Sequence, residues 1–361
     1  MSNISHYTPL PSLLKTIVDN RGKTVPITEM GFPLIATNCI KHSSLYPTQE
    51  KVRFVSNDVK ETWFRAHPES NDIIFVNKGT PGRVCLVPNP VSFCIAQDMM
   101  AFRCDSDLID YRYLFAVMRS SFIQKTIENF HVGLVIPHFK KGDLGNILIP
   151  RKEKKSQEGA IGNLYVTLSQ KIEINNKIKS ELEALAKLIY HYWFVQFDFP
   201  DAKGRPYKSS GGKMVYNEEL KRDIPAGWKV KELSEITAIK AGGDKPQTLS
   251  ENVTETCTVP VYSNGVTNYG LYGYTDSAKI TSPSISISAR GTIGVTFLRM
   301  KPFVPIIRLI VVTPNNQNYL KYLDECLSVI GFEDSGSVQK QLTAPQVSRL
   351  KIICPTEELL E

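Results

Sequence analysis

The chain has 361 residues and a mass of 40.6 kDa, with 42% apolar and 22% charged residues. That is too long for one ordinary core, so it predicts two domains of roughly 150 residues plus a connector, and it excludes a disordered or collagen-like protein. Net charge is +7, divided as +3 over residues 1–150, +5 over 151–230 and −1 over 231–361. An acidic partner is allowed, but the last segment could hold a polyanion only through locally clustered basic side chains.

No apolar run approaches the roughly 20 residues a membrane helix needs. The opening residues lack a basic stretch followed by an apolar one, which argues against a secretion signal. The seven cysteines are scattered and contain no Cys-x-x-Cys. A reduced, cytoplasmic protein with buried thiols is expected.

In chain order, residues 1–150 read as one domain. Phe32-Pro33-Leu34-Ile35 is a short apolar strand. Residues 73–87 then form strand, turn, strand around Lys78-Gly79-Thr80-Pro81-Gly82. Glycine at two turn positions suits a tight reversal with positive φ, and the flanking strands make it a hairpin. A helix is predicted from Tyr113-Leu114, and an apolar strand closes the segment at Ile147-Leu148-Ile149-Pro150.

The connector differs in kind. From about Ile161 to Trp193 there is no proline and one glycine, Gly162. Apolar residues recur at helical spacing at Ile161, Leu164, Leu168, Ile172, Ile178, Leu182, Leu185, Ile189 and Trp193, with Asn175 as a lone polar position in the seam. This predicts a long helix with a coiled-coil stripe, about 50 Å in length, that needs a partner to cover it. Residues 151–197 are assigned to this helical connector. Residues 198–224 carry the proline, glycine and serine of a structured linker.

Ile224-Pro225-Ala226-Gly227-Trp228 opens a second domain, 225–355, that repeats the first. Val259-Pro260-Val261-Tyr262 matches the early strand, and Arg290-Gly291-Thr292-Ile293-Gly294 matches the hairpin turn. Tyr319-Leu320 matches the helix start, and Ile352-Ile353-Cys354-Pro355 matches the closing strand. The interval from tyrosine to closing proline is 37 residues in one copy and 36 in the other, a register chance hairpins would not keep. The fold class is therefore α+β, with two repeated α/β domains joined by a long coiled-coil-type helix.

No enzyme motif assembles. Gly22-Lys23-Thr24 lacks the earlier glycine of a phosphate loop, with Ile17 in its place, and Gly212-Lys213 fails likewise at Tyr207 and Met214. The six histidines show neither His-Glu-x-x-His nor zinc spacing with cysteines. Neither a Gly-x-Ser-x-Gly nor a dinucleotide Gly-x-Gly-x-x-Gly is present. Pro88-Asn89-Pro90-Val91 lacks the order and the aromatic residue of a base-flipping methyltransferase motif and reads as a turn. Neither a metal nor a cofactor is expected.

The arrangement resembles the specificity subunit of type I restriction–modification systems. The resemblance is carried by residues 190–200 (Tyr190 to Pro200), by Ser209-Ser210-Gly211-Gly212-Lys213-Met214, by residues 224–228, by residues 17–24, and by the two Gly-Thr-x-Gly hairpins. It implies that each repeat is a target-recognition domain reading one half of a bipartite double-stranded DNA sequence. It also implies that the long helix is a spacer that docks methyltransferase subunits, that the restriction subunit is a further partner in the full complex, and that catalysis lies on those partners. A rod of about 50 Å would set the two readers about 15 base pairs apart. The default DNA contacts are basic side chains in the turns: Arg21, Lys23, Lys78, Arg83, Lys140 and Lys141 in the first copy, and Lys240, Lys245, Arg290 and Lys340 in the second. In the family a second long helix follows the second copy. Here residues 356–361 are read as the start of such a helix, shortened, so the stripe from Ile161 to Ile189 is expected to pair with a second copy or with methyltransferase helices. The alternative from another class is a non-catalytic protein-interaction scaffold that pairs through its long helix.

Overall fold

The computed structural model describes residues 4–20, 23–130, 137–330, 332 and 341–360. The chain divides into two compact units, Met1–Ser180 and Glu181–Glu361.

In the first unit the strands are β1 (His6–Pro9), β2 (Leu14–Asp19), β3 (Phe32–Ile35) and β4 (Arg53–Val55), followed by the short helix α1 (Asn57–Thr62). Next come β5 (Ile73–Val76), β6 (Val84–Leu86), β7 (Cys94–Ile95) and β8 (Met99–Cys104), then helices α2 (Tyr111–Met118) and α3 (Ser121–Phe130) and strand β9 (Leu148–Arg151). A central sheet of order β2-β8-β5-β6 is flanked by a smaller sheet β4-β3-β7, and β1 pairs with β9. β5 and the first four residues of β8 are apolar at every position because both faces are covered. Ile73, Phe75, Met100 and Phe102 pack with Leu114, Phe115 and Met118 of α2. The alternate residues Ile74, Val76, Met99 and Ala101 pack with Leu34, Ile35, Cys94 and Ile95 of the smaller sheet. The period of two along a strand sorts neighbouring residues into the two clusters.

The connector is one α-helix, α4 (Lys155–Tyr190), of 36 residues and so about 54 Å, continuing as a π-helical turn over His191–Val195. It starts six residues before the predicted Ile161, because its first turn, Lys155-Ser156-Gln157-Glu158, contributes nothing to the apolar stripe. One face docks on the first unit. Glu158 is fully buried and accepts from Arg151 Nε at 2.7 Å, Arg151 Nη2 at 2.9 Å and the Lys152 amide at 3.0 Å. Val166 is buried, and Tyr165 meets Phe115 edge-on with centroids 6.0 Å apart. A Cβ at Gly162 would lie 2.3 Å from the backbone nitrogen of Tyr113, so only glycine permits this approach. The other face is open: eight of the nine apolar residues of the predicted stripe are exposed, as is Asn175, and Ile174 and Leu188 extend it, whereas Trp193, past the end of α4, is half-buried against the cluster of Phe197, Phe199 and Trp228.

The second unit opens on a small aromatic cluster of Phe197, Phe199 and Trp228 under the hairpin of β10 (Met214–Asn217) and β11 (Arg222–Pro225). Then follow β12 (Lys229–Glu232), α5 (Leu233–Ile236), β13 (Thr237–Ala241), β14 (Val259–Tyr262), β15 (Leu271–Thr275), β16 (Ser284–Ile287), β17 (Thr296–Arg299), β18 (Val304–Pro305) and β19 (Ile310–Pro314). The unit ends with α6 (Tyr319–Val329), α7 (Ala344–Ser348) and β20 (Lys351–Cys354). Its sheets are β13-β19-β16-β17, β15-β14-β18 and β12-β20. Each matches a sheet of the first unit, down to the parallel pairs β3–β7 and β14–β18.

The conserved interval in the sequence has a physical cause. In the first unit the Tyr113 hydroxyl donates to the carbonyl of Pro150 at 2.6 Å. In the second, the Tyr319 hydroxyl donates to the carbonyl of Pro355 at 3.3 Å. The helix start and the closing strand are tied together in both copies.

Candidate nucleic-acid interface

The two Gly-Thr-x-Gly turns lie where the sequence puts them, between β5 and β6 and between β16 and β17. Gly79 and Gly82 have φ of 86° and 93°, and Gly291 and Gly294 have 72° and 83°. This left-handed conformation is open to glycine at little cost. The turn therefore raises Lys78 in one unit and Arg290 in the other, both exposed.

In the first unit the chain at 137–139 lies along the hairpin. The Gly79 amide donates to the Pro137 carbonyl at 2.9 Å and the Phe139 amide to the Asn77 carbonyl at 2.7 Å. This brings Lys140 and Lys141 to the same end of the unit as Lys78. Lys140 is exposed, and Lys141 pairs with Asp19 at 2.9 Å at the end of β2. Lys23 is exposed in the loop that follows. Arg83 is half-buried and points inward, its Nη1 3.5 Å from the Ile40 carbonyl. Arg21 and Lys340 lie outside the described residues.

In the second unit Lys240 is exposed on β13. Lys245 is exposed, with its ammonium 4.4 Å from the centre of the Tyr272 ring. Arg290 Nη2 donates to Gln341 Oε1 at 3.1 Å. Arg290 and Gln341 line a cleft of about 400 Å³ together with Thr343 and a basic residue absent from the sequence-based candidates, Arg308. None of the cleft's lining residues is a carboxylate. The Lys279 ammonium stands 3.9 Å from the position a Cβ would take on Gly243, close to the same loops.

Arg308 escaped sequence reading because nothing local marks it. Ile307 and Arg308 both adopt left-handed backbone, φ 53° and 63°, without a glycine to announce the turn. Two consecutive non-glycine residues there are strained, the β-branched Ile307 most of all. Three hydrogen bonds hold them: Ile307 amide to Gly243 carbonyl at 2.9 Å, Arg308 amide to Gly242 carbonyl at 3.1 Å, and Asn264 Nδ2 to Ile307 carbonyl at 2.6 Å. Asn264 Oδ1 also accepts from the Ala289 amide at 2.7 Å, so one side chain ties the Arg308 loop to the Arg290 turn.

A second arginine is used differently. Arg299 is buried, its guanidinium 3.6 Å from the centre of the Tyr262 ring, donating to Ser286 Oγ at 2.9 Å and to the Tyr269 carbonyl at 2.7 Å. It braces the sheet under the hairpin and does not face solvent. Among the described residues no group of three His, Cys, Asp or Glu side chains could hold a metal ion, and no helix is long and apolar enough to cross a membrane.

The family model described as the type I restriction modification DNA specificity domain matches residues 22–184 and 225–358. The chain belongs to this family. The two matched blocks fall one on each repeat, the first running on into α4. The specificity subunit of the type I restriction enzyme MjaIX of Methanocaldococcus jannaschii is 25% identical over 205 residues, 56% of this chain and 44% of that protein. A Mycoplasma pneumoniae protein named as a type I specificity subunit is 32% identical over 118 residues, 33% of this chain and 35% of that protein. The matched segments thus span less than half of either relative's length. Among solved structures, the S subunit of a type I restriction-modification system from M. genitalium shares the fold, with a TM-score of 0.62 at 18% identity, covering 100% of this chain and 89% of that one.

Proposed function

We propose that the chain is a DNA-reading specificity subunit. Each repeat reads one block of a bipartite double-stranded target, and the chain itself carries out no chemistry. The observation that carries this reading is the duplication: one sheet topology occurs twice in a family described as a DNA specificity domain, and each copy raises a basic side chain on a glycine turn. Lys23, Lys78, Lys140 and Lys141 serve the first copy, and Lys240, Lys245 and Arg290 the second. Arg83 is a poorer contact than the sequence suggests, because its guanidinium is turned toward the Ile40 carbonyl. The methyl donor, nucleotide and metal chemistry of a restriction–modification complex would then sit on other subunits, and the chain would work in the cytoplasm, where its DNA is.

The open face of α4 supports a protein partner. Leu164, Leu168, Ile172, Leu182 and Leu185 are all about half exposed or more. An apolar row of this length on a helix is costly to leave in water and fits the helices of methyltransferase subunits or the same row on a second copy. Footprinting on a methylated target tests the main reading: two protected blocks separated by an unprotected gap are expected, and a single contiguous block refutes it. Light scattering of the Leu168→Asp/Leu182→Asp variant tests the helix. Association should be lost while both units keep their unfolding transitions.

A further inference from the structure

Resting on the DNA-reading assignment, we propose that Arg290 and Arg308 together read a guanine in the block recognised by the second unit, with Asn264 as the residue that positions them.

The cleft holds two guanidinium groups from different loops and no carboxylate among its lining residues. Arg290 commits one donor to Gln341 Oε1, and each guanidinium carries five N–H donors in a fixed fork. That leaves further donors on both guanidinium groups in a cleft they share with the polar side chains of Gln341 and Thr343. The acceptor that best matches a guanidinium fork on a base edge is the O6/N7 pair of guanine in the major groove.

A phosphate would also accept from arginine, and two features favour the base. The first is precision. Arg308 is held on strained backbone by three hydrogen bonds, and the Asn264 amide fixes its loop against the Arg290 turn. Gly242 makes this possible, since a Cβ there would lie 2.8 Å from the Pro305 carbonyl carbon. A phosphate contact needs no such fixing, because a flexible lysine serves as a point charge. The second is asymmetry between the repeats. Between β7 and β8 the first unit has three residues, Ala96-Gln97-Asp98, whereas between β18 and β19 the second has four, Ile306-Ile307-Arg308-Leu309. The counterpart of the Arg308 loop is thus one residue shorter and holds no arginine. Phosphates look alike in every sequence, so backbone contacts would be shared by the two readers; a feature present in only one of them belongs to reading sequence.

The test is selection from a random duplex library with the full chain and with Arg308→Lys, Arg290→Lys and Asn264→Ala, followed by titration of the selected duplexes at several salt concentrations. The wild type should enrich two blocks, one holding a fixed guanine. Each lysine variant keeps the charge and loses the fork, so preference for that guanine should fall roughly 5- to 150-fold, the worth of one bidentate contact. The other block should stay unchanged. Asn264→Ala should relax the same guanine and leave the salt dependence as it was. Two results overturn the proposal: unaltered guanine preference in both lysine variants, or a uniform loss of affinity across all sequences, which marks a phosphate contact. Enrichment of no sequence by the wild type would refute the DNA-reading assignment itself, and with it this inference.

Discussion

Gly162→Ala offers a test of how α4 is seated, because two effects of known size oppose each other there. Alanine in place of glycine inside a helix is worth about 1 kcal/mol of helix propensity. At Gly162 the added Cβ would meet the Tyr113 nitrogen at 2.3 Å, the Arg112 carbonyl carbon at 2.5 Å and the Tyr113 Cα at 2.8 Å. These are backbone atoms at the start of α2, and they cannot swing aside as a side chain does. Overpacking of this kind costs about 1–3 kcal/mol or more. The helix is also pinned beside the contact by the Glu158–Arg151 pair, so a shift would strain a buried ion pair. The expected result is a net loss of about 1–2 kcal/mol, a fall of a few degrees in the melting temperature for a unit of this size. Gly159, one turn earlier, is the control: a Cβ there meets only Asp110 Oδ2, at 3.6 Å, an ordinary contact. Gly159→Ala should gain up to about 1 kcal/mol. Urea or thermal unfolding of the full chain reads both. Equal stabilisation by the two substitutions would show that α4 does not approach α2 as closely as described.

Other outcomes follow from named contacts. The second glycine of each hairpin turn should be the costlier to change: all four alanines add left-handed strain of about 1 kcal/mol or more. Gly82→Ala and Gly294→Ala also press on Gln124 and Phe332, at 3.0 and 2.7 Å, whereas Gly79 and Gly291 face open space. Unfolding midpoints of the four variants check the order. Asp72 is buried and takes two hydrogen bonds from Arg103, at 3.1 and 3.0 Å, while Arg103 also pairs with Glu69 at 2.8 Å, so Asp72→Ala should cost about 1–3 kcal/mol by removing those bonds without stranding the cation; no measurable loss in denaturant titration would contradict it. Burial pushes the Cys94 and Cys104 thiols up to about 12 and keeps them protonated near pH 8. Alkylation of the folded chain should therefore leave both unlabelled while the unfolded chain labels fully, and mass spectrometry of digested protein decides.

The repeat was legible in the sequence because its markers are local. A strand, a basic residue and two glycines in fixed order specify a hairpin wherever they occur, and the tyrosine-to-proline interval survives because Tyr113 and Tyr319 each bond the closing strand. The stripe on α4 was legible for the same reason, as a periodicity within one helix. The face of α4 that docks was not, since Glu158, Gly162 and Tyr165 read as ordinary polar or weakly apolar positions until α2 is placed against them. Sheet order was likewise hidden. An early strand of each unit pairs with its last, β1 with β9 and β12 with β20, and no local pattern encodes a partner more than 100 residues away. Arg308 combines both difficulties, an unannounced left-handed turn and partners from two distant loops.

The charge of the second unit shows why the site had to be sought in space. Residues 231–361 carry a net −1, which by itself argues against a polyanion. At physiological salt, however, fields between exposed charges fade over about 8 Å, so a ligand at the surface responds to its near neighbours and not to the total. Close to the Gly242–Gly243 link basic groups outnumber the one acid next in the chain, Asp244: Arg308 is bonded to the link through the backbone, the Lys279 ammonium lies beside Gly243, and Arg290 shares the cleft with Arg308. Other carboxylates that balance the sum are engaged in local bonds, as with Glu235, which caps α5, and Asp276, bonded to Thr275 and Ser277. Under the DNA-reading assignment, such a unit has little long-range attraction for DNA and a strong local one. It would discriminate by the fit of a few arginine donors, while general electrostatic hold comes from elsewhere in a chain whose residues 151–230 carry +5.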